Sequence, residues 1–148
     1  MTTEEKNLLI KDICARLPYD VEAEVSNYIE GESKPFVITK IVTFNDVDAF
    51  IKNEVVIGIK PLLRPLSSLT DEEKEQLHIE LCDDIREEDN GRHTEIYGYT
   101  IVYHDFKEEE WYIPYESVDW LNSNHFDYRG LIPMGLAIET SRERYITQ

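Results

Sequence analysis

Residues Pro61 to Asp89 constrain the fold more than any other stretch. The run opens Pro-Leu-Leu-Arg-Pro-Leu-Ser-Ser-Leu and continues from Thr70 as Thr-Asp-Glu-Glu-Lys-Glu-Gln-Leu-His-Ile-Glu-Leu-Cys-Asp-Asp-Ile-Arg-Glu-Glu-Asp. Thr70 fits a helix N-cap, and Glu73 three residues on completes a capping box. Asp71, Glu72 and Glu73 fall in the first turn, where the helix dipole favours anions. Leu77, Leu81 and Ile85 recur every four residues and form one apolar stripe. The pattern predicts a central acidic helix from Thr70 to Asp89. Strand-like segments flank it, and Pro61 and Pro65 argue against regular central pairing continuing through them.

A chain of 148 residues predicts one domain, 1–148, long enough to bury a core. Residues 140–148 read as a frayed tail. Hydrophobic residues make up 41%, which excludes wholesale disorder. The net charge of −16 argues against direct binding to nucleic acid or anionic membranes, because phosphate contacts need Lys and Arg. It is compatible with a basic protein partner. Cys14 and Cys82 are the two cysteines. Both fall on the apolar side of predicted helices and read as small buried hydrophobes, not a disulfide framework. The opening Met-Thr-Thr-Glu-Glu-Lys lacks a signal-peptide core, and no apolar run approaches the roughly 18 residues of a membrane span. A cytoplasmic location is the expectation.

Thr2 with Glu5 forms another capping box. Leu9, Ile10, Ile13, Cys14 and Leu17 mark one helical face that ends at Pro18. Val21, Ala23 and Val25 alternate with Glu22, Glu24 and Ser26, as in a half-buried strand. Phe36 to Phe44 reads as a second strand, Asn45 to Asp48 as a polar break, and Ala49 to Asn53 as a helical turn or hairpin connection. Glu54 to Lys60 is a third strand. Glu95 to Phe106 carries the strongest strand signal, with Trp111 to Tyr115 as its hairpin partner. Ser117 caps a short helix, Gly135 fits an αL position, and Leu136 to Ile138 can add a last short strand. The fold class is α+β: an antiparallel sheet of about five strands, packed by the N-terminal helix and the acidic helix, with short C-terminal helical turns.

Four groups of residues are candidates for function. From Thr70 to Asp89 there are ten acids against two bases. Glu73, Glu80, Asp84 and Glu87 lie largely off the apolar stripe, where they can dock a basic protein or simply form a solvated face. His78 and Cys82, four apart, give at most two ligands, short of a structural zinc site. His104-Asp105 and His125-x-Asp127 place carboxylates near imidazoles, as general-base pairs require. Neighbours along a strand point to opposite faces, which weakens the first pair. Trp120 to Ile132 mixes aromatic and polar side chains. Trp120, His125, Asp127 and Arg129 can form a recognition surface there, or a structural corner. No serine sits in a nucleophile elbow, and the six glycines form no phosphate-binding loop. No catalytic metal and no cofactor are expected.

Lys60 to Glu73, Asp119 to Ile132 with Gly135-Leu-Ala137, and Leu9 to Tyr19 together resemble an uncharacterised family of small proteins. Its members occur in Bacteroides-type gut bacteria, their phages and mobile elements. The resemblance implies a small cytoplasmic accessory protein and transfers no chemistry. Pro133-Met134 and the tail after Glu139 depart from the pattern. The expected function is non-enzymatic binding of a protein partner. The rivals are a small hydrolase with a carboxylate–His site and a structural or assembly component. Oligomeric state stays open.

Overall fold

The computed structural model describes residues 1–77, 92–97, 100–105, 110–112 and 115–146 of the chain. In chain order the elements are α1 (Thr3–Arg16), a 3-10 turn (Leu17–Tyr19), β1 (Glu22–Asn27), β2 (Phe36–Ile41), α2 (Phe44–Ile51) and β3 (Val56–Pro65). A second 3-10 turn (Leu66–Ser68), α3 (Asp71–Leu77), β4 (Arg92–Tyr97), β5 (Thr100–Asp105) and β6 (Glu110–Tyr112) follow. The chain then forms α4 (Tyr115–Ser123), β7 (Phe126–Asp127), β8 (Ile138–Glu139) and α5 (Glu143–Ile146). The fold is α+β, with a mixed, mostly antiparallel sheet of five strands. Its order is β2-β1-β3-β7, with β8 also paired to β3. The contacts of β1 with β2 and β3 are antiparallel, whereas β7 and β8 run parallel to β3. Strands β4, β5 and β6 form a separate antiparallel sheet. The chain divides into two compact units, Met1–Leu63 with Leu131–Gln148, and Arg64–Gly130.

In the first unit, α1 starts at the expected box. The Glu5 amide donates to Thr2 Oγ1 at 3.1 Å, and the Thr2 amide donates to Glu5 Oε2 at 2.8 Å. Leu9 and Ile13 enter a core with Val21, Ala23, Val25 and Ile59. Asp12 and Arg16 lie on the same buried face. Cys14 is exposed, not a buried hydrophobe. It stands one residue, or about 100° of helix rotation, round from Ile13, off the Leu9/Ile13/Arg16 line.

Three expectations for this unit are corrected. The polar break Asn45–Asp48 is the first turns of a helix, α2. Thr43 is its N-cap, and Asp46 reaches back to the Thr43 amide at 2.9 Å. An aspartate closing a box is easily mistaken for loop composition, because the usual closing residue is Glu or Gln. Pro61 and Pro65 do not end strand pairing: β3 continues through both. Pro61 faces Ala23, and the antiparallel ladder ends there. Residues of β1 alternate in the neighbour they bond, and the Val42 amide donates to Val21 O at 2.9 Å. The odd-numbered residues of β1 therefore bond towards β2, and Pro61 occupies a position with no β1 bond to lose. The segment expected to fray instead forms α5. Arg144 Nε donates to Glu22 Oε2 at 2.7 Å. The Tyr145 hydroxyl donates to the Leu62 carbonyl, and burial pushes its pKa up to about 12. Gly135 adopts φ +75°, as its position predicts.

The second unit has its own apolar cluster of Leu66, Leu69, Leu77, Leu121, Phe126 and Tyr128. The run from Glu95 to Phe106 is not one strand. It folds back on itself as β4 and β5, with Ile96 opposite Ile101. Continuous Tyr/Ile/Val content reads the same whether the chain runs straight or turns. Helix α4 begins at Tyr115, so Ser117 lies inside its first turn.

The Thr70 box is present. The Glu73 amide donates to Thr70 Oγ1 at 3.2 Å, and the Thr70 amide donates to Glu73 Oε1 at 3.1 Å. Leu81, Ile85 and the rest of the expected helix to Asp89 lie outside the described residues. Thr70→Ala is expected to cost about 0.5–2 kcal/mol by urea denaturation. An unchanged midpoint would remove the cap from the stabilising interactions.

Candidate functional site

Among the described residues of the second unit, a buried polar cluster is built around Arg64, near the end of β3. Parallel pairing with β7 sets Arg64 opposite Phe126, and the Arg64 amide donates to His125 O at 2.8 Å. The guanidinium lies with Cζ 4.0 Å from the Phe126 ring centroid. Trp120 also stacks on Phe126, with ring centroids 5.7 Å apart and planes 12° from parallel. Arg64 Nη1 and Nη2 donate to the two Glu73 carboxylate oxygens at 2.9 and 2.8 Å. Both side chains are nearly out of solvent, at 3% and 7% exposure.

Glu73 thus performs two tasks. It closes the N-terminal box of α3, and it neutralises a buried arginine through a two-pronged, charge-assisted contact. Burial raises its carboxyl pKa, but hydrogen bonds from Arg64 and Thr70 outweigh that and hold it below the ordinary value. A carboxylate held ionised against a fixed guanidinium is a structural anchor and a poor proton carrier at neutral pH.

The other expected site residues divide sharply. Glu73 is buried and does not belong to a solvated acidic face. Glu80, Asp84 and Glu87 lie outside the described residues, as do His78 and Cys82. Trp120 is half-buried against the cluster. His125 is buried and adopts φ +61°, a left-handed conformation at the exit of α4. Its amide donates to Asn122 O at 3.1 Å. Asn122 Oδ1 accepts from the Tyr128 hydroxyl at 2.9 Å. Asp127 is fully buried, and Arg129 lies over the Tyr128 ring at 4.7 Å. Ser123 Oγ donates to Trp120 O at 2.9 Å, a helix-end bond. Within the segment from Trp120 to Arg129, His125 and Asp127 are buried, whereas Trp120 and Arg129 are half-buried. His125 and Asp127, the expected imidazole–carboxylate pair, are 5% and 0% exposed. Histidine 104 lies on β5 opposite His93 and Trp111.

Sequence reading missed Arg64, whose only signal is a charge set in the apolar run Leu62-Leu63-Arg64-Pro65-Leu66. Among the described residues, no group of three or more His, Cys, Asp or Glu could hold a metal ion. No described helix is long and apolar enough to cross a membrane. Fold and charge together describe an acidic α+β protein with two buried ion pairs, Asp12–Arg16 and Arg64–Glu73. No family model, curated protein or solved structure matches the chain.

Proposed function

We propose that the protein is a non-enzymatic binding module that engages a basic protein partner. It would act in the cytoplasm, as a small accessory protein of the kind found in Bacteroides-type bacteria, their phages and mobile elements. The observation that carries this reading is the charge: 31 acidic against 15 basic residues, a net of −16. The buried pairs Asp12–Arg16 and Glu73–Arg64 each withdraw one acid and one base from solvent. They leave that excess untouched. Such a field steers cationic surfaces and raises their encounter rate.

The test is affinity capture from lysate with wild type and with a Glu80→Lys/Asp84→Lys/Glu87→Lys variant of unchanged circular dichroism. The expected result is a basic protein retained at low salt and released as salt rises, because exposed charges are screened over about 8 Å at physiological ionic strength. The variant should retain less of it. Equal capture by both proteins at low and high salt would remove charge as the basis of recognition.

A further inference from the structure

Strand β2 is an outer strand of its sheet, paired among the described residues only with β1. Its sequence, Phe36-Val-Ile-Thr-Lys-Ile41, is apolar at both parities. A strand of that kind belongs inside a sheet, covered on both faces. Here Phe36, Val37, Ile38 and Ile41 are 55%, 48%, 41% and 43% exposed. Soluble proteins usually blunt such an edge with a bulge, a proline, an outward charge or a covering element. The β1–β2 register runs without a shift over all six pairs. The one charge on the strand, Lys40, is held by Asp46 at 2.9 Å.

The phase of the ladder tells which backbone groups are open. The Val42 amide donates to Val21 O at 2.9 Å. Antiparallel pairs alternate between bonded and non-bonded. In the register that follows, Lys40, Ile38 and Phe36 bond to β1 opposite Ala23, Val25 and Asn27. Val37, Thr39 and Ile41 direct their N–H and C=O groups away from β1.

We infer that the open edge of β2 docks an extended segment of a cationic protein, which adds to the sheet as a further strand. Backbone bonds to Val37, Thr39 and Ile41 supply the pairing, and the exposed apolar side chains on both faces supply burial. Charge decides between occupants. A second copy would bring −16 against −16, whereas a basic segment is attracted. Acids beside the strand favour it too: Glu22 and Glu24, opposite Ile41 and Thr39, and the exposed Glu30 and Glu32 in the connection that leads into β2. This inference rests on the basic-partner reading and adds the surface and the mode of binding.

The experiment is fluorescence anisotropy with three synthetic peptides of about ten residues, long enough to span the strand. The first alternates valine and lysine, the second is the same peptide N-methylated at every residue so that neither edge can donate, and the third alternates valine and glutamate. They are titrated against wild type and Thr39→Pro. Proline at 39 deletes an outward N–H and no β1 bond, a substitution that edge strands accept. The valine–lysine peptide should bind, more weakly at high salt. N-methylation and Thr39→Pro should each weaken it at least about tenfold, and the valine–glutamate peptide should not bind. The N-methylated peptide leaves the protein unaltered, so a folding defect in Thr39→Pro cannot imitate the result. Equal binding of the N-methylated peptide would overturn strand addition while leaving the basic-partner reading intact. Equal binding of the glutamate peptide would overturn both. A wild-type dimer in sedimentation that Thr39→Pro abolishes would give the edge to a second copy, and absence of any peptide binding would also overturn the inference.

Discussion

Arg64→Ala is expected to destabilise the protein by about 3–5 kcal/mol, because it leaves the Glu73 carboxylate buried without its counter-ion. The loss includes both hydrogen bonds at 2.8–2.9 Å and the packing of the guanidinium over Phe126. Arg64→Met with Glu73→Leu should recover most of the loss, since well-packed apolar pairs often match a buried ion pair. The acid limb of stability gives an independent check. The folded-state pKa of Glu73 is lowered. Its contribution is therefore fully present above the unfolded value of about 4.3 and is lost as pH falls through the folded value. Urea midpoints measured from neutral pH downward should fall more steeply in wild type than in the double variant. Parallel acid limbs would show that the pair contributes nothing pH-dependent, and an Arg64→Ala cost below about 1 kcal/mol would contradict its burial.

Asp12→Ala should produce a loss of the same order, about 3–5 kcal/mol. Arg16 Nε and Nη2 donate to the Asp12 carboxylate at 2.8 and 3.0 Å, and both side chains are at 0% exposure. The pair spans one turn of α1, on the face that carries Leu9 and Ile13 into the core. Removing the acid takes two charge-assisted hydrogen bonds from a fully buried guanidinium, whereas an exposed i,i+4 pair would be worth only about 0.3–0.5 kcal/mol. Thermal or urea unfolding of Asp12→Ala against Asp12→Asn separates charge from shape. Asn retains a hydrogen-bond acceptor and should cost less. Equal losses would assign the effect to the lost charge alone, and an Asp12→Asn variant as stable as wild type would assign it to shape.

What the sequence disclosed follows from range. Thr2/Glu5 and Thr70/Glu73 were legible because both partners lie within one turn, and the apolar alternation of Val21, Ala23 and Val25 marked the core face of β1. The α+β class followed from such local periodicities. The ion pair of Arg64 with Glu73 was not legible as a pair. Helix capping alone already accounts for the glutamate, and nine residues of chain hide the arginine. Asp12–Arg16 sits at ordinary surface-pair spacing, so nothing in the sequence separates the buried case from the exposed one. The burial of His125 and Asp127 was not legible either, because composition does not report it. Thr43/Asp46 was overlooked for its unusual closing residue, and the openness of β2 was hidden by a sequence suited to an interior strand.

The first unit is assembled from two separated pieces of chain. Leu131, Leu136 and Ala137 share a core with Leu9, Val25 and Ile59, and β8 pairs with Leu62 and Leu63. Everything between Arg64 and Gly130 belongs to the second unit. Closing a loop of that length carries an entropic cost that rises only as about (3/2)RT ln n, but contacts so distant in sequence form late. In a chain growing from its N-terminus, the second unit has all its residues before the first does. The N-terminal helix and strands, synthesised earliest, wait longest for their last core side chains. Throughout that interval the apolar flank of β3 that β8 will occupy has no native partner to meet.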